Sequence, residues 1–574
     1  SHVVTLAELP KLPNGKLDRN ALPEPVVGQS DYEPPVTDCE QSLARIWQDL
    51  LQQSRVGRQD HFFELGGHSL LATQLVSRLR HEWRVELPLR MVFEAPRLTD
   101  MAALLEALEG TPAQETIPAL GLEGAPQSFA QQRLWFLDQL EPGATAYNLP
   151  GVLDLKGTVD EGALQQALDA LAQRHETLRT RLVAAPDGEA IPRQVIDPAI
   201  GVPLERVDVS HSDDPEGAFR DHAEAFMRRP FSMGTQPLWR VGLVTMAAKE
   251  SRLLICLHHA ISDGWSVSVL MRDFASLYRA ACGERAAVLE KLSIQYADFS
   301  VWQREWLASG EGERQLNYWR AQLGDGQPVL ELPTDRPRPA RQSFQGARHH
   351  FRLGESLSNR LRGSAASRDV TPFMMLLAAY NLLLHRLSGQ DDLRVGVPVA
   401  GRNRRETEGL VGFFVNTQVL RCELASSQTF EQVLATVRQA SIEAQSHQDL
   451  PFEQLVEALQ PERSLSHNPL FQVAFDYQHR DQRGLGELPG LTAKVMELEG
   501  GSTQFDMALN LIEEADGTFS GNWNYATDLF DAATVERFGA RFEWLLNEIV
   551  AGPQQPIGDY DLLDDTDHEQ LASW

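Results

Sequence analysis

His258-His259-Ala260-Ile261-Ser262-Asp263-Gly264-Trp265 decides how the larger part of this chain folds. It follows Arg252-Leu253-Leu254-Ile255-Cys256-Leu257, an apolar run of strand length. It precedes Ser266-Val267-Ser268-Val269-Leu270-Met271-Arg272-Asp273-Phe274, which reads as a helix. The order is therefore strand, Asp-Gly turn, helix. Side chains alternate faces along a strand, so His258 and His259 point in opposite directions and only one can face a cleft. That argues against both holding one metal. It suits one imidazole acting on protons or positioning a substrate while the other packs. These eight residues alone also allow two ordinary strand-end histidines.

Working outward, 574 residues exceed what one hydrophobic core supports, so several domains are expected. An apolar fraction of 42% suffices for globular folding, and a net charge of −28 argues against nucleic-acid or anionic-membrane partners. Cys39, Cys256, Cys282 and Cys422 lie far apart, without a CxxC or Cys/His cluster, so neither zinc nor a disulfide framework is indicated. A reducing cytoplasm is the expected compartment. The N-terminus lacks a basic start followed by an apolar core, and no uncharged run reaches the roughly 20 residues of a membrane span.

Residues 1–30 are proline-rich and include Leu12-Pro13-Asn14-Gly15-Lys16-Leu17-Asp18-Arg19, with an Asn-Gly turn signal. So little apolar surface could not fold alone, so the segment reads as the tail of a truncated domain. From Asp38, which can cap a helix, Leu43, Ile46, Trp47, Leu50 and Leu51 recur at helical spacing. A second stripe (Leu71, Leu75, Val76, Leu79) starts from Ser69, and shorter helices are expected over 88–93 and 98–108. Residues 31–110 thus read as a small all-α, four-helix bundle.

Between the first two helices stands Phe62-Phe63-Glu64-Leu65-Gly66-Gly67-His68-Ser69-Leu70. The two glycines let a large group approach the backbone, and Ser69 sits where a helix begins and a phosphate is favoured. A plain serine N-cap is the ordinary alternative. The whole stretch closely resembles the 4′-phosphopantetheine attachment site of peptidyl carrier domains. That resemblance implies a covalent 4′-phosphopantetheine on Ser69, added by a phosphopantetheinyl transferase. The preceding Leu-Pro-Asn-Gly-Lys-Leu-Asp-Arg then resembles the last motif of an adenylation domain, where the residue matching Lys16 binds acyl adenylate. Here Lys16 is expected to be inactive.

Residues 111–124 read as a linker. Beyond them strands and helices interleave, which argues for α/β layering. Helices are expected over 163–171, 267–281, 315–323, 371–387, 430–445 and 452–459, and strands around Leu182, Val195, 241–246, 393–399 and 473–478, with an irregular link at 333–339.

In chain order this region carries Ser128-Phe129-Ala130-Gln131-Gln132-Arg133-Leu134-Trp135-Phe136-Leu137, Arg174-His175-Glu176-Thr177-Leu178-Arg179-Thr180, the opening stretch, and Tyr296-Ala297-Asp298-Phe299-Ser300-Val301-Trp302. Val411-Gly412-Phe413-Phe414-Val415-Asn416-Thr417, His447-Gln448-Asp449-Leu450-Pro451-Phe452-Glu453 and Arg463-Ser464-Leu465-Ser466-His467-Asn468-Pro469-Leu470 follow. Together they resemble, motif by motif, the condensation domain of nonribosomal peptide synthetases.

The resemblance implies two chloramphenicol-acetyltransferase-like lobes set in a V around a tunnel, over 125–300 and 301–562, with 563–574 leading toward another adenylation domain. It assigns His259 as the catalytic histidine, acting as a base toward an amine or orienting it, beside His258. Asp263 is expected to hold the loop through an arginine, with Arg402 as candidate. Gly264 is expected either to form the turn or to leave an N–H near the tunnel as an oxyanion donor. Arg133 and Arg179 are expected in internal ion pairs, and Asn416, His447 and Asp449 as bridges between lobes.

The implied chemistry is amide formation between a thioester on the attached donor carrier and the amine of an aminoacyl group on a downstream acceptor carrier. This is the ligase or acyltransferase chemistry of antibiotic or siderophore biosynthesis. Flanking adenylation domains are the other implied partners, and a monomer is expected. Trp265 resembles the subtype joining an L-donor to an L-acceptor. Heterocyclisation is disfavoured because cyclisation domains carry aspartate where His258 stands. Epimerisation is disfavoured by the opening Ser-Phe-Ala-Gln-Gln-Arg. A non-catalytic recruitment module is the remaining alternative.

Overall fold

Thr37 starts the first helix: its hydroxyl accepts the Glu40 N–H at 3.1 Å. The cap is thus Thr37, one residue before the expected Asp38, which is the first residue of α1 (Asp38–Leu51). The structure is a computed structural model. It describes residues 32–563 and 572, except 84, 86, 109–115, 141, 187, 188, 200, 285, 325, 463, 480–487 and 497–500, with backbone alone at 69, 70 and 81. Lys16, the expected adenylation tail, Arg463 and nearly all of the trailing linker lie outside the described residues.

Contacts separate a unit carrying the first four helices, with which residues 359–371 are grouped, from a unit carrying three sheets. In the first, α1 is followed by α2 (Ser69–Trp83), α3 (Leu89–Glu94) and α4 (Leu98–Ala107). Leu43, Trp47, Phe62, Leu75, Leu79 and Met101 are wholly buried and form its core. Trp47 and Phe62 meet edge to face at 5.1 Å, and Phe63 stacks on Phe93 at 4.9 Å. Glu40 is buried but satisfied, accepting the Val36 N–H at 2.6 Å and pairing with Arg58 at 2.9 Å.

The larger unit is layered α/β, as the interleaving implied. Its first half holds a five-stranded sheet in the order β12 (Leu491–Met496), β2 (Asn148–Gly157), β7 (Glu250–His258), β6 (Trp239–Ala247), β5 (Leu204–Asp208), antiparallel except for β5 with β6. A three-stranded sheet runs β1 (Gly124–Pro126), β4 (Arg193–Ile196), β3 (Thr180–Val183). The helices here are α5 (Phe129–Leu140), α6 (Glu161–Arg174), α7 (Pro215–Arg228) and α8 (Gly264–Ala281). β7 is buried on both faces through Leu253, Leu254, Cys256 and Leu257, which is why it reads as an unbroken apolar run.

The second half holds a six-stranded sheet in the order β10 (Asn416–Glu423), β9 (Asp392–Val399), β11 (Val473–His479), β13 (Met507–Glu513), β14 (Phe519–Ala526), β8 (Gly346–Arg352). Its helices are α9 (Tyr296–Trp306), α10 (Gly312–Leu323), α11 (Glu355–Ala366), α12 (Pro372–Ser388), α13 (Arg405–Glu408), α14 (Phe430–Gln445), α15 (Phe452–Leu459) and α16 (Ala532–Ala551). α12 is buried on nearly every face, packed among α14, α16 and β9, and Pro372 is its first residue as expected. β12 lies within the span expected for the second lobe, yet it completes the sheet of the first. A single cut at residue 300 therefore does not separate the two sheets.

Candidate active site at the end of strand β7

β7 delivers the two histidines to a short turn, and backbone bonds set their opposite directions. The His258 N–H donates to the Leu238 carbonyl on one side, and the His259 N–H to the Tyr147 carbonyl on the other, both at 2.8 Å. His258 is 4% exposed. Its ring lies 6.0 Å from Phe231, and its Nδ1 accepts the Ala260 N–H at 3.1 Å. Burial, with His259 adjacent, pulls its pKa down to about 3, so it is neutral. His258 is thus a packed residue that shapes the turn.

His259 is partly exposed. Its ring centroid lies 4.6 Å from that of Phe413, and its buried Nδ1 has no hydrogen-bond partner of good geometry. Burial lowers its pKa below the ordinary value, while the Asp263 carboxylate and the backbone at His259 and Ser262 oppose that and Arg133 adds to it. A neutral imidazole can accept a proton or a hydrogen bond.

Asp263 is the N-cap of α8, accepting the Ser266 N–H at 2.7 Å. The same oxygen, Oδ1, lies 3.1 Å from Arg402 Nη2, and Oδ2 accepts the Phe414 N–H at 3.0 Å. Both members of the Asp263–Arg402 pair have side chains at 0% exposure. Arg402 also donates to the carbonyls of Thr407 and Leu410 at 2.6 and 2.8 Å and to Ser266 Oγ at 2.7 Å, and lies over the Phe414 ring at 4.0 Å. Burial lowers its pKa, which the Asp263 charge opposes. Both carboxylate oxygens of Asp263 and both terminal nitrogens of Arg402 are spent on holding the turn against residues 407–414.

Two glycines make the approach possible. Gly401 has φ +64°, and a Cβ there would sit 2.0 Å from the Phe414 carbonyl oxygen; a Cβ on Gly412 would sit 2.1 Å from the Tyr296 ring. Gly264 differs. It is the first residue of α8, without positive φ, and a Cβ would meet nothing within 4 Å. Neither backbone conformation nor crowding requires glycine there.

Arg133, on α5, pairs with Glu453 of α15 at 3.1 Å and lies over Phe452 at 5.8 Å. Burial works against its charge, but Glu453 and Tyr147 outweigh that and hold the guanidinium above its ordinary pKa. Arg179 pairs with Glu176 at 3.3 Å. Asn416 donates to the carbonyls of Gln448 and Leu450 at 2.9 and 2.7 Å and accepts the Phe452 N–H at 3.0 Å. His447 stacks on Tyr318 at 3.8 Å, and Asp449 accepts from Asn403. All three act within the second half rather than as bridges between lobes. Links between the halves include Asp263–Arg402, Ser266–Gly412, Thr177–Val411, Trp265–Glu408 and Arg133–Glu453, together with β12.

Sequence reasoning gave Ser128, Ser266, Tyr296, Gly401 and Phe413 no role. The signal was present, since Ser128, Tyr296 and Phe413 lie inside the quoted motifs and Gly401 and Ser266 each adjoin a singled-out residue.

In the small unit, α2 begins at Ser69 and has no acidic residue in its first turn. A Cβ on Gly67 would overlap the Phe62 ring at 2.4 Å, so that glycine serves internal packing. Gly66, at φ +98°, has nothing within 4 Å and is the one that keeps the approach open. A serine at the start of a helix of 15 residues with no carboxylate in its first turn fits a phosphodiester.

These features define a class: a small helical unit with a serine at a helix start, followed by an α/β fold of two halves with two opposed histidines at a strand end. The chain belongs to the condensation-domain family, whose model, Condensation domain, matches residues 123–572. Residues 41–105 match the model Phosphopantetheine attachment site, so the pair is a carrier and condensation domain of the nonribosomal peptide synthetase type, with 4′-phosphopantetheine as the carrier's covalent group.

A linear gramicidin synthase protein of Brevibacillus parabrevis is 43% identical over all of this chain, which spans 8% of that protein. Tyrocidine synthase 3 of the same organism is 40% identical, again over all of this chain and 9% of its own length. The chain thus spans about a tenth of these curated relatives. Among solved structures, the X-domain from teicoplanin biosynthesis superposes with a TM-score of 0.71 at 29% identity, covering 78% of this chain and 100% of that one. The condensation domain from the Monacolin K polyketide synthase shares the fold with a TM-score of 0.67 at 23% identity, covering 76% of this chain and 99% of that one. Among the described residues no helix is long and apolar enough to cross a membrane.

Proposed function

We propose that this chain forms amide bonds in nonribosomal peptide synthesis, with Ser69 as the attachment point of the arm and His259 as the group that meets the reacting amine. The observation that carries the second assignment is the contrast between the histidines: His258 is sealed in the core, whereas His259 is partly exposed, neutral, and held beside the junction of the two halves. When bound, the arm supplies a thiol that presents an acyl group as a reactive thioester. His259 accepts a hydrogen bond or proton from the amine as its nitrogen attacks the carbonyl; the C–N bond forms, the C–S bond breaks, and the thiol leaves with a proton. In this reading the N–H of Gly264, the first residue of α8, meets developing negative charge. Asp263 and Arg402 hold the turn and take no part in proton transfer. A thioester is already activated, so positioning supplies much of the acceleration, and a true base adds roughly 10²–10⁴-fold.

In this reading the partners are a phosphopantetheinyl transferase, neighbouring adenylation domains and an acceptor carrier, the chain works as a cytoplasmic monomer, and donor and acceptor are both L-residues. The X-domain neighbour was solved in a complex with OxyB, so partner recruitment is the second reading. One experiment separates the two. The chain is treated with the transferase and coenzyme A, loaded with a donor, and mixed with an aminoacyl acceptor carrier. Arm addition lost in Ser69→Ala and dipeptide lost in His259→Ala support the proposal. Arm addition surviving in Ser69→Ala overturns the first assignment. A rate untouched by His259→Ala overturns the second.

A further inference from the structure

The imidazole of His259 has no carboxylate on its far nitrogen, the device that usually orients a working histidine, and the backbone of His259 and Ser262 beside it offers no bond of good geometry. Its buried Nδ1 has no hydrogen bond of good geometry, and Asp263 spends both oxygens elsewhere. What the ring touches is Phe413, at 4.6 Å between centroids and an interplanar angle of 56°.

Phe413 in turn is immobilised to an unusual degree for a loop residue. The Gly412 carbonyl accepts from Ser266 Oγ at 2.8 Å, and the Gly412 N–H donates to the same oxygen at 3.1 Å. The Phe413 carbonyl accepts from the Tyr296 hydroxyl at 2.6 Å, and the Phe414 N–H donates to Asp263 at 3.0 Å. Tyr296 spends its proton on Phe413, so it receives one from Ser128, whose Oγ lies 2.8 Å away. Three consecutive residues are thus pinned by side chains of α8, α9 and the segment before α5.

We propose that Phe413 is a positioning residue for His259: the pinned loop holds an aromatic face against the imidazole and fixes its orientation beside the backbone of His259 and Ser262. The inference rests on the reading of His259 given above. Aromatic pairs contribute beyond their burial, enough to favour one ring orientation over another by several-fold. The same face keeps water from part of the imidazole. The charged or titratable groups around His259 are His258 on β7, Asp263 at the α8 cap with Arg402 bonded to it, and Arg133 on α5 with Glu453 of α15 against it. None of these changes when Phe413 is replaced.

The test uses the holo protein in the dipeptide assay with wild type, Phe413→Leu, Phe413→Tyr and His259→Gln. The imidazole nitrogens are also titrated by 15N NMR, the His259 signal being the one missing in His259→Gln. Phe413→Leu is expected to lower kcat about 10-fold with KM for the acceptor nearly unchanged, and to move the His259 titration toward the ordinary histidine range. Phe413→Tyr is expected to restore both. The NMR reading requires no turnover, so it separates the two ideas. If the His259 signal and the rate are unmoved in Phe413→Leu while His259→Gln is inactive, the positioning role is refuted and the function stands. If the signal moves but His259→Gln remains fully active, the orientation is real and the reading of His259 as a reacting residue falls. A Phe413→Leu effect confined to KM also overturns the inference.

Discussion

Removing one partner of the Asp263–Arg402 pair is the sharpest perturbation available. Both side chains are at 0% exposure, so neither charge can recover its hydration when the other is lost. Asp263→Ala leaves the Arg402 guanidinium bonded to two carbonyls and a hydroxyl, with its bonded countercharge gone and only the weaker influence of Glu408 remaining. An uncompensated buried charge costs about 3–5 kcal/mol, and loss of the α8 cap adds about 1 kcal/mol. The expected loss is therefore about 4–6 kcal/mol, large against the 5–15 kcal/mol typical of a folded domain.

Asp263→Ala combined with Arg402→Met removes the lone charge and retains a long apolar side chain. The double variant should be more stable than the sum of the single losses by about 2–3 kcal/mol. Urea unfolding followed by tryptophan fluorescence, with the slope checked for constancy, measures each corner of the cycle. If the two losses add within about 0.5 kcal/mol, the pair is not a coupled buried unit and the reasoning is wrong.

His258 gives a pH dependence. Its folded pKa of about 3 lies below the ordinary 6.5, so below pH 6.5 the unfolded chain binds a proton that the folded chain refuses. Stability is therefore full above pH 6.5 and falls as pH drops toward 3, by about 2 kcal/mol between pH 6.5 and 5 at about 1.4 kcal/mol per pH unit. His258→Asn, which keeps an acceptor near Nδ1, should be less stable at pH 7 and lose less on acidification; parallel curves for the two proteins would count against the account. Gly264→Ala meets open space and replaces glycine at the start of a helix, so stability should change by under about 1 kcal/mol. If its N–H serves an approaching carbonyl, the added methyl lowers turnover without unfolding; a variant that is both stable and fully active argues against that role.

Much of this was legible because it was local. α14 (Phe430–Gln445) and α15 (Phe452–Leu459) have the bounds expected from periodicity, since each begins at a clear signal, Thr429 as a capping box and Pro451 ahead of the first turn. Pro372 marked α12 for the same reason. β8 and β12 were invisible because they are sheet edges. Gly346–Arg352 contains two histidines and two arginines, and Val495 in β12 is 70% exposed, so neither shows apolar alternation. β14 does alternate, with Phe519, Trp523 and Tyr525 buried, but Gly521 breaks the pattern; its missing side chain lets the Asn510 carbonyl approach, where a Cβ would sit at 2.2 Å. At the site, the opposed histidines followed from strand alternation and the Asp263–Arg402 pair was expected, whereas the rest of the knot was not. Its members Asp263, Arg402 and Phe414 come from segments more than 130 residues apart, and only packing brings them together.

The pairing of β12 with β2 governs how the molecule is made. Leu153 has Val495 as its partner across the ladder. A ribosome adding roughly 5–20 residues per second needs on the order of 20–70 s to travel between them. Through that interval the outer edge of β2 presents unpaired N–H and C=O groups, open to any strand that arrives first. The first sheet is therefore finished only when the second is nearly complete. Expression of a fragment ending near residue 300 should yield aggregates, whereas supplying the remaining segment in trans should rescue it.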